Sequence, residues 1–419
     1  MKIGILGATR GLEFAFAAQK AHLDISVTAV CENYVPLLEK VKTALPALGF
    51  TPAYYTDYGE MLRTSGIDAV IIANNATDHA RFAIAALNRG IHVLSEVLPV
   101  QTMAEAVALA EAVERSGKRY SYAENYCYFP ANFQMASRFR KGEVGELVTA
   151  EADFINDCSQ RWHLLTRGLR GHWRNHVPAT FYCTHSLAPL FFATRKRPVR
   201  VTGFEIKCQD YMRVHGARNG SAAYEMVELE DGSVFKSLHG NLKRPWVSRL
   251  HIYGTKGTLE SVDIGNYKAF VENAKATGYN DYDVLEGTFP QIAGFPKEAT
   301  ARPEAFILAC FAGAINGNQA ALEAGVDVWQ ALDMFMPGLF AYRSILAGGT
   351  PVEIPDLRDP AQREKYRNDT ACTDPSVASG ANLLPSSSRG TIDIPDAVYE
   401  AEARLFDEAV ASKFHLGMN

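Results

Sequence analysis

Lys2-Ile-Gly-Ile-Leu-Gly-Ala-Thr-Arg-Gly11 reads as a short buried strand, a glycine-bearing turn and the start of a helix. A compact apolar run bounded by glycine suits a parallel strand covered on both faces. In the turn, Gly7 and Gly11 let the backbone approach a phosphate closely, and the helix that follows offers its free N–H groups. Gly7, Ala8, Thr9, Arg10 and Gly11 therefore form a candidate phosphate loop. Its spacing is irregular, because Thr9 stands where a strict G-x-G-x-x-G has glycine. The same rhythm continues outward in ISVTAVC (25–31), AVIIAN (69–74), IHVLSE (91–96) and RYSYAEN (119–125). Amphipathic stretches near Phe14–Ala21, Val35–Leu45, His79–Arg89 and Ala104–Ser116 separate them. Right-handed crossovers turn such a series into a doubly wound parallel sheet, here a Rossmann domain over 1–122. Glu32 follows the second strand about 20 residues after the glycines, where a carboxylate accepts from ribose hydroxyls and repels a 2′-phosphate. The expected cofactor is NAD rather than NADP.

The chain of 419 residues, 47% apolar and 21% charged, is long enough for two cores. Its net charge of −5 gives no general attraction for nucleic acid or anionic lipid. Seven scattered cysteines without a C-x-x-C pair read as reduced thiols, not as a disulfide framework or a zinc site. Met1 leads straight into a strand and no run of about 18 apolar residues occurs. These features predict a cytoplasmic protein whose partners are small molecules or copies of itself, with no metal, nucleic acid or membrane.

From about Leu147 the texture changes to alternation, in VTAEADF, RVTGFEIK, AAYEMVELE, SVFKSLHG and RLHIYG, with turn signals EDGS and TKGT. Alternation predicts a large, mostly antiparallel sheet with one covered face, in an α/β domain over 123–355. Helices at Glu304–Ile315 and Val328–Ala347 offer cover. The stretch 356–395 is rich in Pro, Ser, Asp and Gly and reads as an extended arm, with a last helix near Asp396–Ser412 closing a third segment, 356–419.

With these residues in view, the chain resembles the Gfo/Idh/MocA oxidoreductases. Asp68-Ala-Val-Ile-Ile-Ala-Asn-Asn-Ala-Thr-Asp-His79 and the run to Glu96 are similar to that family's third and fourth strand ends, with Glu96 in its E-K-P motif. The E-K-P lysine is Val97 here. The family's NAD-dependent glycosidase branch, similar to α-N-acetylgalactosaminidase, also carries valine. Glu124-Asn125 resembles that branch's E-N motif, Trp173-Arg174 its W-R, and Tyr182-Cys-Thr-His185 its Y-x-T-H. Phe154 and Asn156 depart from its Y-x-H-D. The resemblance implies a Rossmann domain followed by an open-sheet domain, and sugar chemistry with NAD. It assigns Asn74, Asn75, His79, Glu96, Asn125, Trp173 and Arg174 to the cofactor beside the glycine loop and Glu32.

Removing a hydride from a ring C–OH leaves a proton that a base must take. His185 is the first candidate. Tyr182, three residues earlier and on the same face of a helix, is the second, and Glu124 the third. The segment His163–His176 carries three arginines and three histidines. Arg167, Arg170, His172 and His176, with Asn156, are candidate substrate contacts, and arginine forks suit a uronate or sulfonate. The leading expectation is glycoside cleavage through transient C3 oxidation, C1 elimination, water addition and re-reduction. A plain NAD-dependent sugar or cyclitol dehydrogenase is the alternative, and a non-catalytic NAD-binding regulator the third. A homodimer or homotetramer is expected, with the arm available to wrap a neighbour.

Overall fold

A computed structural model describes residues 1–272 and 284–413. By compactness it divides into two units, one of Met1–Tyr128 with Pro290–Ala331, the other of Phe129–Phe289 with the described residues from Leu332 to Lys413.

The first unit holds strands β1 (Lys2–Leu6), β2 (Ser26–Cys31), β3 (Ala53–Tyr55), β4 (Ala69–Ile72), β5 (His92–Ser95) and β6 (Tyr120–Tyr122). They form one parallel sheet in the order β3-β2-β1-β4-β5-β6. That is the order of a dinucleotide-binding sheet, and its direction reverses at β1, the strand that delivers Gly7. Strand β3, only three residues long, was not anticipated; Ala-Tyr-Tyr at a half-exposed edge carries little periodic signal. The helix expected near Ala104–Ser116 runs Met103–Ser116, started by a Thr102–Glu105 capping box and stopped by Gly117 in the left-handed region. The helix Pro303–Ile315 lies in this unit, where Ala305 packs on Ala17 and Ala21 of the helix Arg10–Lys20. The division thus falls at Tyr128, and Pro290–Ala331 returns to the first unit.

The second unit is built on β7 (Leu147–Ile155), β8 (Pro198–Ile206), β9 (Ala222–Leu229), β10 (Val234–Gly240), β11 (Val247–Gly254), β12 (Gly257–Ser261), β13 (Asn266–Val271), β14 (Leu285–Glu286) and β15 (Val352–Glu353). Their order is β14-β13-β12-β11-β7-β10-β9-β8-β15, antiparallel except where β7 and β10 run side by side in parallel. Burial alternates along β9 and β10, as the sequence pattern predicts. The covered face packs under the helix Thr184–Thr194, with Phe191 against Phe235 at 5.3 Å between ring centres. The other face exposes Phe204, Tyr224 and Met226 among the ion pairs Lys236–Glu151 and Arg249–Asp153.

The arm lies on its own second unit. Asp369 pairs with Arg343 at 2.8 Å, and the Ser388 N–H donates to Glu205 at 2.9 Å. The terminal helix, Asp396–Lys413, is held by Arg170 on Asp396 at 2.7 Å and by the Tyr399 hydroxyl donating to the Gly216 carbonyl at 2.9 Å. Gly168 is required there: its φ is +64°, and a Cβ would lie 2.2 Å from the Ala403 nitrogen. Among the described residues no helix is long and apolar enough to cross a membrane.

Candidate functional site

The cofactor residues of the first unit gather where β1 and β4 end. Gly7 sits at φ +93°, and a Cβ on it would meet the Ala73 carbonyl oxygen at 2.5 Å and the Asn74 nitrogen at 2.7 Å. Glu32, buried at the end of β2, accepts from the Ala8 N–H at 3.0 Å and from the Tyr34 N–H at 2.9 Å. It thereby ties the glycine loop to the second strand, and each carboxylate oxygen keeps further acceptor capacity. The Asn74 Oδ1 is buried with no hydrogen-bond partner among the described residues. A loop that only glycine fits, a carboxylate at the second strand end and an orphaned acceptor at the fourth together suit an adenosine ribose and a pyrophosphate.

Two residues assigned to the cofactor also hold the loops. His79 is buried, its Nδ1 2.8 Å from the Glu96 carbonyl and 3.0 Å from that of Leu98, its Nε2 3.3 Å from that of Asn74. Burial lowers its pKa against the pull of Glu96 and these carbonyls. Arg10 donates through Nε to Glu96 at 2.7 Å and through Nη1 to Glu304 at 2.9 Å, and pairs with Glu13. Burial opposes its charge, but Glu96, Glu304 and Glu13 prevail and hold its pKa above the ordinary value. Glu304 is absent from the sequence reading because it lies some 300 residues from its partner in no motif. Glu124 is fully buried and accepts from the Tyr126 N–H at 3.1 Å, at the turn Asn125–Tyr128.

In the second unit the motif residues converge. Arg174 donates to the Tyr182 hydroxyl oxygen, and its guanidinium lies 4.4 Å from the Trp173 ring centre and 5.5 Å from that of Tyr182. Trp173 stacks on Tyr182 at 6.1 Å with 17° between planes. His185 lies 5.4 Å from Tyr182 and 4.7 Å, edge to face, from Phe154. The helix expected to carry Tyr182 and His185 is a 3-10 turn, Ala179–Cys183, running into an α-helix, Thr184–Thr194. Asn156 follows Phe154 at the end of β7, its N–H donating to the Gly240 carbonyl at 3.1 Å.

The basic segment is divided in its duties. Arg170 is turned to the terminal helix, bonding Asp396 and the Ile394 carbonyl, both at 2.7 Å, over the Tyr399 ring. His176 is buried, its Nδ1 3.4 Å from the Thr373 hydroxyl of the arm, and burial lowers its pKa. His172 accepts the Arg174 N–H through Nδ1 at 3.2 Å and stacks on Trp173. Burial, with Arg174 and Arg167 beside it, pushes His172 down to about 3, so it carries no positive charge near neutrality. The anionic grip read across this segment thus draws no charge from His172. Arg167 caps the helix Trp162–Thr166 at φ +56°.

Comparison with known proteins matches this layout. Residues 1–124 match the family described as oxidoreductase family, NAD-binding Rossmann fold. That match to the Gfo/Idh/MocA family covers the first 124 residues, the Rossmann sheet. Among curated relatives, an α-N-acetylgalactosaminidase of Shewanella oneidensis is 29% identical over 328 residues, covering 73% of this chain and 65% of the relative. A glycosyl hydrolase family 109 protein of Shewanella sp. ANA-3 is 29% identical over 206 residues, 45% of this chain and 43% of the relative. The chain therefore spans less than half the length of some curated relatives it matches, and just under two thirds of the longer match. A solved inositol dehydrogenase homologue from Azotobacter vinelandii, complexed with NADH and myo-inositol, shares the fold with a TM-score of 0.66 at 18% identity, covering 84% of this chain and 97% of that one.

Two expectations follow for the two units. Glu32→Ala removes the carboxylate that ties down the glycine loop; hydrogen bonds to charged groups are worth about 1.5–3 kcal/mol, so NAD binding should weaken roughly 10- to 100-fold while NADP binding changes less, as calorimetric titration with each will read. In the second unit His172 is half-buried and neutral. Its folded pKa lies below the unfolded value of 6.5, so stability is highest above pH 6.5 and falls as pH drops from 6.5 toward 3. Trp162, Trp173 and Trp246 lie in this unit, so tryptophan-monitored urea unfolding should show a lower midpoint at pH 5 than at pH 7.5, and His172→Asn should shrink that difference.

Proposed function

We propose that this chain is an NAD-dependent enzyme that cleaves a sugar glycoside through transient oxidation of the ring. The observation that carries the reading is the Arg174–Tyr182–His185 cluster, in a chain with Val97 in place of the lysine that dehydrogenases of the resembling family use. Valine moves no proton, so proton chemistry falls to the second unit. The α-N-acetylgalactosaminidase and glycosyl hydrolase names of the relatives support the same class.

Gly7, Ala8, Thr9, Arg10, Gly11, Glu32 and Asn74 would hold NAD, which when bound supplies the acceptor and later the donor of the C3 hydride. The chain's own residues handle protons and position. His185 takes the C3 hydroxyl proton as the hydride leaves and returns it on reduction. The C2 proton, made acidic by the neighbouring carbonyl, goes to Tyr182. Arg174 donates to the phenol oxygen and so orients Tyr182 for the base role that Phe154 lacks. Loss of the aglycone from C1 completes the elimination, its oxygen taking up the proton that water releases on adding to C1, and Tyr182, its own proton exchanged with solvent in the meantime, protonates C2. No NAD is consumed over the cycle. Arg167 and Arg174 would receive an anionic sugar substituent, a uronate or sulfonate.

Phe154 favours a second reading, a sugar or cyclitol dehydrogenase with His185 as its base, because such a reaction needs no C2 base. Purified protein incubated with neutral, uronide and sulfonated aryl glycosides separates the two: aglycone release without net NADH supports the first, and steady NADH accumulation the second. The exposed Phe204, Tyr224 and Met226 face suits a second copy of this chain, and a monomeric mass by light scattering would refute that pairing.

A further inference from the structure

The backbone that carries Arg174 is tied to a loop with no place in the scheme above. This loop, 215–220, runs from the short helix Asp210–Arg213 to β9. At its start it meets the terminal helix: His215 Nδ1 is 2.9 Å from Oε1 of the buried Glu402, and the Gly216 carbonyl accepts from the Tyr399 hydroxyl at 2.9 Å. Gly216 suits this contact, since its φ is +102° and a Cβ on it would lie 2.6 Å from the Tyr399 ring. At its end the loop meets the arm. The Gly220 N–H donates at 3.2 Å to Glu205, the buried carboxylate that also takes the Ser388 N–H at 2.9 Å. Between these two grips Ala217 packs with Trp162 and Met212.

The residues in the middle of the loop turn to the Arg174 segment. The Arg218 N–H donates to the Asn175 carbonyl at 2.8 Å. The Asn219 Nδ2 donates to the Val177 carbonyl at 2.5 Å and to the Arg174 carbonyl at 3.3 Å. Both of these partners are carbonyl oxygens, so the amide nitrogen of Asn219, and not its oxygen, must face them. On the other side of the Arg174 Cα, the Arg174 N–H donates to the His172 Nδ1 at 3.2 Å. The two peptide groups that flank this Cα are thus both tied, which sets its φ and ψ and with them the direction in which the side chain leaves the backbone. The guanidinium at the end of that side chain is the group that donates to the Tyr182 hydroxyl. Asn175 ties the segment to itself, accepting from the Trp162 Nε1 and donating to the Leu169 carbonyl, both at 2.9 Å.

We propose that Asn219 is a positioning residue for Arg174, and that the arm and the terminal helix serve the site by holding the loop from which Asn219 reaches. Its link to catalysis rests on the reading of Tyr182 given above, because Arg174 orients that phenol for the proton at C2. The hydride step at C3 belongs to His185. Loosening Asn219 therefore slows the C2 step and spares the C3 step, a split that a general loss of structure does not give. The segment itself stays docked without Asn219, because Arg170 still bonds Asp396 and the Ile394 carbonyl, both at 2.7 Å.

Amide hydrogen exchange read by mass spectrometry on the full chain tests the tie without reference to turnover. Asn219→Leu keeps the size of the side chain and removes its donor; Tyr399→Phe keeps the ring and removes only the hydroxyl that holds Gly216. Amides of 172–178 should exchange about tenfold faster in Asn219→Leu and about threefold faster in Tyr399→Phe, the loss expected of one or two neutral hydrogen bonds. Unchanged exchange in the first overturns the tie to Arg174, and unchanged exchange in the second overturns the part given to the terminal helix. In single-turnover kinetics with an aryl glycoside, the first appearance of NADH should keep its rate within about twofold in both variants. Aglycone release should fall about tenfold in Asn219→Leu and about threefold in Tyr399→Phe. Wild-type aglycone release in Asn219→Leu, or NADH formation slowed as much as aglycone release, overturns the positioning role. A wild type that turns over no glycoside overturns the reading of Tyr182, while the exchange result stands for or against the tie by itself.

Discussion

Replacing His185 with alanine should lower kcat for aglycone release about a thousandfold while leaving NAD binding within a factor of two. The first figure is the middle of the range that one positioned acid–base group contributes; the second follows because the glycine loop and Glu32 belong to the other unit. Tyr182 and Phe154 would still flank the gap, at the places where they now meet the imidazole at 5.4 and 4.7 Å. The fold should therefore persist, and circular dichroism with single-turnover kinetics will separate lost chemistry from lost structure. Retention of a tenth or more of wild-type kcat would remove His185 from the mechanism.

The second large effect belongs to Gly7. Alanine there must adopt φ near +93° and place a methyl group 2.5 Å from the Ala73 carbonyl oxygen, 2.6 Å from its carbon and 2.7 Å from the Asn74 nitrogen, all backbone atoms that cannot turn away. Left-handed strain of about 1–3 kcal/mol and overpacking of about 1–3 kcal/mol add to roughly 4 kcal/mol against the first unit. Differential scanning calorimetry should record a fall in Tm on the order of 10 °C, with NAD binding lost at the same time. The neighbouring Gly11 is confined for another reason, its Cβ position lying 2.4 Å from the Ile5 side chain. A Gly7→Ala protein with wild-type Tm would mean that β1 and β4 do not converge as described.

The Rossmann unit was legible because its signals are local. Each strand is an unbroken apolar run, and Gly7 and Glu32 mark strand ends by residue type alone. The exception, β3, is too short to show a period. The second sheet was legible as alternation, but its order was not: β7 pairs with β10 and β11, across some 80 to 100 residues of chain, and pairings that distant leave no trace in spacing. The helix Pro303–Ile315 is apolar around most of its surface, so its pattern points to no one neighbour, and it packs on the helix Arg10–Lys20.

In the candidate site, motif spacing was enough to bring Trp173, Arg174, Tyr182 and His185 together. It could not tell a free arginine from an engaged one. Arg10 and Arg170 find carboxylates hundreds of residues away, in Glu304 and Asp396.

The central claim is that a hydride is borrowed from the sugar and returned to it. Running the reaction in deuterium oxide and analysing the released sugar by NMR tests this most directly. The account predicts deuterium at C2, delivered by Tyr182 from solvent, with the original hydrogen still on C3 and no net NADH. Aglycone release with only the original hydrogen at C2 would contradict it.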